Sequence, residues 1–209
     1  MAQANIVLIE KDLDEKTLNH YLNKKILAVD CEMMGLNITR DRLCLVQIGD
    51  ENQRITLVKI VQGQIEAPNL KKLMEAKEIV KLFHFARTDL AFLSYYLDIN
   101  VDNVFCTKVG SKIARTYTDK HSLKELTKEL IGRDLKKDQQ TSDWGSDKYS
   151  AEQIKYAAND VVHLIEIYQI LQEMLEREGK FELAQKASSF IPTFARLDIL
   201  GYKDTFEHK

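Results

Sequence analysis

Apolar positions along the chain follow two rhythms. Short, nearly continuous apolar runs occupy residues 6–9, 26–32, 43–48, 55–60, 80–85 and 104–107. Their length and polar boundaries predict β-strands. Between and after them the spacing changes to that of a helix. Residues 11–23, 70–76 and 108–114 read as helices, and Leu90, Leu93 and Leu97 recur at helical spacing after Thr88 and Asp89. From Ser122 onward the pattern is mostly helical. The strands at 26–32, 43–48 and 55–60 have short links, which predicts an antiparallel meander. The order β-β-β-α-β-α-β-α, then helices, predicts an α/β fold with a mixed sheet flanked by helices. Two prolines and no low-complexity stretch give no sign of a linker, so one domain over 1–209 is expected.

Composition narrows the functional classes. Apolar residues make up 44% and charged residues 30% of the chain, values ordinary for a globular protein. No apolar stretch approaches the roughly 20 residues that span a bilayer, and the N-terminus has no basic-then-apolar leader. Cys31, Cys44 and Cys106 lack metal-type spacing and read as buried thiols. Cytoplasmic residence, with no membrane partner, is the default expectation. A net charge of −2 argues against coating long nucleic acid by bulk electrostatics. It leaves room for a short strand held through metal ions.

The candidate chemistry begins at the end of the 26–32 strand. Asp30 and Glu32 are i and i+2, so both side chains point to one face. Two adjacent carboxylates either stay solvated or take a hard divalent cation, Mg²⁺ or Mn²⁺. Asp89 follows the 80–85 strand at a helix start, where it reads locally as an N-cap. His84 alternates with apolar neighbours and reads as a core histidine. On the helix that opens with the Ser150/Gln153 capping box, Tyr156 and Asp160 are i and i+4 and share a face. Asp160 sits mid-helix among apolar residues, where aspartate is a poor helix former; it reads either as solvated or as a partner to another group. The small pair Ala157-Ala158 permits close approach to another element.

In this order the motifs Asp30-x-Glu32, Asp89 and Tyr156-x-x-x-Asp160 resemble the DEDD superfamily of 3′-5′ exonucleases, in the branch with a tyrosine in its last motif. The stretch from Lys137 through Trp144, followed by Gln153 to Val161, is similar to the ribonuclease D relatives. The resemblance covers about residues 25–170, leaving 171–209 as a C-terminal helical segment. Because the chain stops at 209, its length is similar to the short nano-RNase C type rather than to ribonuclease D with its helical accessory domains. Cys31 stands where many relatives have threonine, and Thr88 where many have an aromatic; neither position is a metal ligand.

The resemblance implies a ribonuclease H-like fold and a two-metal site for Mg²⁺ or Mn²⁺, with Asp30, Glu32, Asp89 and Asp160 as ligands. Asp30, Glu32 and Asp160 would hold one ion, with Asp30 bridging to the second and Asp89 near it. Tyr156 would orient or deprotonate the attacking water. The implied activity is release of 5′-nucleoside monophosphates from short single-stranded RNA, down to dinucleotides, by a homo-oligomer that could be a ring. The segment Met33, Met34, Gly35, Leu36 is similar to one in oligoribonuclease, making Leu36 either a wedge between bases or an ordinary loop leucine. Met33, Gly35 and His84 are further candidate substrate contacts. Basic candidates around the site include Lys81, Arg87, Lys108, Arg115 and Lys137. Arg115, with Tyr117 and His121, could cap a 5′ phosphate. Alternatives are 3′-end trimming of tRNA or structured RNA, a single-stranded DNA exonuclease, a non-catalytic RNA-binding module on the same fold, and a small structural α/β protein with chance motifs.

Overall fold

The computed structural model describes residues 5–135, 142–202, 205, 206 and 208. Six strands form one mixed sheet in the order β1-β4-β3-β2-β5-β6. β2 (Ile26–Met33), β3 (Leu43–Gly49) and β4 (Arg54–Lys59) make the antiparallel meander expected from their short links. β5 (Val80–Phe83) and β6 (Val104–Cys106) join β2 in parallel on the other side. They follow α2 (Pro68–Met74) and α3 (Arg87–Leu97), as parallel crossovers require. β1 (Asn5–Glu10) lies parallel to β4 at the edge.

Both faces of the sheet are covered. β3 is buried along its whole length, which is why its sequence alternates only weakly. On one face Leu27, Val29 and Cys31 pack with α1 (Glu15–Leu22), α2, α3 and α9 (Ile191–Ile199). On the other, Ala28, Leu45 and Leu57 meet α6 (Ala151–Val162) and α7 (Leu164–Arg177), with α4 (Thr107–Ala114), α5 (Leu123–Ile131) and α8 (Phe181–Ser189) beyond them. All three cysteines are buried and free.

Three boundaries differ from expectation. α1 begins at Glu15 rather than near residue 11, because the Asp14 side chain accepts from the Thr17 backbone N–H at 2.7 Å and caps the helix there. β5 ends at Phe83, since Phe85 has φ +71 and cannot continue a strand. Residues 132–150 are not helical where described; the next helix waits for the Ser150 cap. No helix among the described residues is long and apolar enough to cross a membrane.

Candidate active site

Pleating decides which way the strand acids point. Even-numbered residues of β2 face α6 and α7: Ala28 packs there, and Asp30 and Glu32 follow it on the same face. α6 lies across this face, with Ala157 and Ala158 buried against the sheet. Its capping box is intact: Ser150 Oγ accepts from the Gln153 N–H at 3.2 Å, and Gln153 Oε1 accepts from the Ser150 N–H at 2.9 Å. Gln153 also donates to the Asp143 carbonyl at 3.1 Å, tying down the turn that carries Trp144. With the helix so placed, Asp160 reaches the strand acids. One carboxylate oxygen from each of Asp30, Glu32 and Asp160 lies within 4.8 Å of the others.

Asp89 enters from the other side. It occupies the third position of α3, and Ala86 precedes the helix without a side-chain cap. The local N-cap reading is therefore corrected: the first turn of α3 aims this carboxylate at β2, where backbone N–H groups of Cys31 and of Asp89 itself support it. It is buried, and its charge acts on Asp30 and Glu32.

Four carboxylates in one dry place repel. Burial, followed by the neighbouring acids, pushes Glu32 up to about 9 and holds Asp30 well above the usual carboxylate range. Burial likewise pushes Asp89 up to about 8. A polar side chain on the neighbouring strand meets two of these acids. Gln47, opposite Asp30 in the β2–β3 register, brings its amide nitrogen to 3.5 Å from Asp30 and 3.4 Å from Glu32. One neutral amide shared at those lengths cannot offset the repulsion. Hard carboxylate oxygens converging in one buried cluster are a donor set that fits a divalent cation.

Tyr156 stands one turn before Asp160. Burial, then the charges of Asp160, Glu32 and Asp30, raise its phenol far above neutrality, so it stays protonated and can donate a hydrogen bond. Trp144, itself buried, braces it with ring centroids 6.1 Å apart.

The loop after β2 is rigidly held. A Cβ on Gly35 would lie 2.2 Å from an Asp41 carboxylate oxygen, so a side chain there would displace that carboxylate. That carboxylate accepts from the Asn37 N–H at 2.9 Å, and the Tyr96 hydroxyl reaches the Ile38 and Asp41 carbonyls at 3.0 Å each. From this anchored loop Leu36 projects into solvent, 79% exposed, beside half-buried Met33. His84 follows β5 half-buried, its Nδ1 3.0 Å from Thr107 Oγ1.

Two basic expectations need correction. Arg115 is wholly buried. Its guanidinium is spent on Ser111 Oγ at 3.0 Å, the Lys120 carbonyl at 2.8 Å and Glu129, so it braces the α4–α5 connection and is not a free phosphate donor. Eight helical residues also carry it about 12 Å from the end of β6. Lys81 is buried too, with its ammonium on the Ala76 carbonyl. Lys137 lies outside the described residues. Gln47 was missed because a glutamine within an apolar strand carries no motif; its register opposite Asp30 was the one available signal.

Comparison with known proteins agrees with this arrangement. Residues 6–176 match a family described as 3′-5′ exonuclease. The chain is 34% identical over 156 residues to ribonuclease D of Gluconacetobacter diazotrophicus, covering 75% of this chain and 39% of that protein. The chain thus spans well under half the length of that relative. Brucella melitensis NrnC bound to pGG superposes with a TM-score of 0.93 at 40% identity, covering 99% of this chain and all of that one. The same protein with bound Mg²⁺ gives 0.92 at 40%, covering 98% and 100%. With its fold, its acid set in the expected order and these matches, the chain belongs to the DEDD 3′-5′ exonuclease family, in its ribonuclease D-like, NrnC-like branch.

Proposed function

We propose that this chain is a metal-dependent 3′-5′ exoribonuclease that hydrolyses short single-stranded RNA, down to dinucleotides, to 5′-nucleoside monophosphates. The carrying observation is the convergence of Asp30, Glu32 and Asp160 within 4.8 Å, with the Asp89 carboxylate near enough for its charge to act on Asp30 and Tyr156 a turn before Asp160. Asp30, Glu32 and Asp160 would hold one divalent ion, and Asp30 with Asp89 a second. Such ions, once bound, supply the positive charge that a scissile phosphate and an attacking water both require.

The remaining work falls to the chain. The Tyr156 O–H, one turn before Asp160, donates to the attacking water and fixes its lone pair on the phosphorus. Gln47 holds the Asp30 and Glu32 carboxylates side by side. Leu36 would part the two bases of a short substrate, a reading supported by its exposure on a loop anchored by Asp41 and Tyr96. Met33, Gly35 and His84 support that surface. The relative solved with pGG supports a short substrate, and the one solved with Mg²⁺ supports the cofactor class. Exposed Phe190, Leu200, Tyr202 and Phe206 near α9 are read as a contact between copies in a homo-oligomer, which light scattering at the 24.2 kDa monomer mass would refute. Three buried free cysteines accord with a cytoplasmic enzyme.

The test is a rate-versus-length series, from dinucleotide to twenty-mer, on RNA and DNA with Mg²⁺ and Mn²⁺. The proposal expects mononucleotide release with kcat/KM highest on the shortest RNA. A preference for the longest strands would favour trimming of larger RNA instead.

A further inference from the structure

One aromatic at the lip of the site is held in a conformation that folding alone does not favour. Phe85 has φ +71, a left-handed backbone that bulky L-residues avoid. Its ring is not buried in exchange for that strain; the residue is 52% exposed. Nothing in the apolar core therefore demands a phenylalanine there.

Its position follows from two registers. In the parallel β2–β5 pairing Ala28 faces Leu82, so the residues that follow β5 leave the sheet at the end where Asp30 and Glu32 stand. The β5–β6 pairing closes at Phe83 and Cys106, so His84 and Phe85 leave the sheet where α4 begins at Thr107. The contacts agree: His84 meets Thr107 at 3.0 Å, and the Lys108 ammonium sits 4.2 Å from the centre of the Phe85 ring. Phe85 is also four residues before Asp89. It is thus an exposed ring at the carboxylate end of the sheet, between the end of β5 and the start of α3, with a cation over it.

We propose that Phe85 is a stacking platform for a nucleobase of the substrate, with Lys108 steadying the ring and placing positive charge beside the neighbouring phosphate. This rests on the exonuclease reading of the site and extends it to how the strand is gripped. Every nucleobase offers a π-face, so the platform takes RNA without regard to sequence. The backbone strain sets the ring before substrate arrives, and less ordering is left for binding to do. Leu36 and Phe85 then play different parts, one parting bases and the other receiving one.

The decisive variants are Phe85→Gly, which relieves the backbone and removes the ring, and Phe85→Trp, which keeps a platform. Binding is read by quenching of a 2-aminopurine dinucleotide, with Ca²⁺ in place of Mg²⁺; turnover is read separately with Mg²⁺ as mononucleotide release. Wild type and Phe85→Trp should quench the probe, and Phe85→Gly should not. Phe85→Gly should raise KM about tenfold to a hundredfold with kcat little changed, while melting at or above the wild-type temperature. It should also lose the wild-type preference for a base-bearing over an abasic dinucleotide. Lys108→Met should weaken binding severalfold and flatten its salt dependence. Unchanged quenching and KM in Phe85→Gly overturn the platform even if mononucleotide is released. Loss of quenching in that variant, in a wild type that releases no mononucleotide, upholds the platform and refutes the exonuclease reading.

Discussion

Asparagine at position 30 should stabilise the metal-free protein while abolishing its activity. In the folded chain the oxygens of Asp30, Glu32 and Asp160 lie within 4.8 Å. At an effective dielectric of about 20, each ionised pair at that distance repels by about 3.5 kcal/mol. The acids respond by holding protons: Glu32 is pushed up to about 9 and Asp89 to about 8, with Asp30 raised as well. In the unfolded chain such groups titrate near 4. Between about pH 4 and 9 the native state therefore binds more protons than the unfolded state, so stability falls as pH rises. The slope is about 1.4 kcal/mol per pH unit for each proton retained. Asp30→Asn removes one titrating group and its repulsion with its neighbours. The expected gain is about 2–4 kcal/mol at pH 8 and near zero at pH 5, where protonated Asp and Asn are alike. For a chain of this size that is about 5–15 °C in Tm. Thermal melts in EDTA at pH 5, 6.5 and 8 measure it, repeated with Mn²⁺. Wild type should lose Tm with rising pH and regain it with metal; the variant should be flatter and largely indifferent to metal. A variant that melts at or below wild type at pH 8, or that metal stabilises equally, would show that the cluster is not a strained cation site.

Further predictions concern single side chains. Tyr156→Phe should lower kcat about 10²–10⁴-fold with KM changed little, since it removes a hydrogen bond made to the attacking water; an unchanged kcat would take the phenol out of the chemistry. Leu36→Ala should raise KM for dinucleotides more than for ten-mers, and an equal effect at both lengths would make it an ordinary loop residue. Arg115→Ala should cost about 2–4 kcal/mol, because Glu129, Ser111 and the Lys120 carbonyl lose a buried partner. Its Tm should fall while kcat of the folded enzyme at 25 °C holds, and the reverse pattern would return Arg115 to the substrate. Gln47→Leu should weaken metal affinity more than it changes Tm, read by metal titration of activity.

Much of this protein was legible before any coordinates. Strand runs of the right length, the meander and the late helices follow from local periodicity, because burial on a sheet or a helix repeats every 2 or 3.6 residues whatever the tertiary partner. The same periodicities place Asp30 beside Glu32 and Tyr156 beside Asp160. Tertiary structure decided what each pair meets. Asp89 passes for a helix cap by position, yet the packing of α3 on the sheet turns it to the acids, where the backbone of Cys31 supports it. Gln47 has no meaning along the chain and acquires one from the register opposite Asp30. Arg115 looks like a phosphate donor until the fold spends its guanidinium on Glu129 and Ser111. Phe85 reads as one more strand residue, and only its backbone dihedral shows that it turns out of β5. Spacing along the chain determines which side chains share a face. Only the closing of strands, helices and loops on one another decides whether a shared face becomes core, brace or active site, since that depends on neighbours remote in sequence.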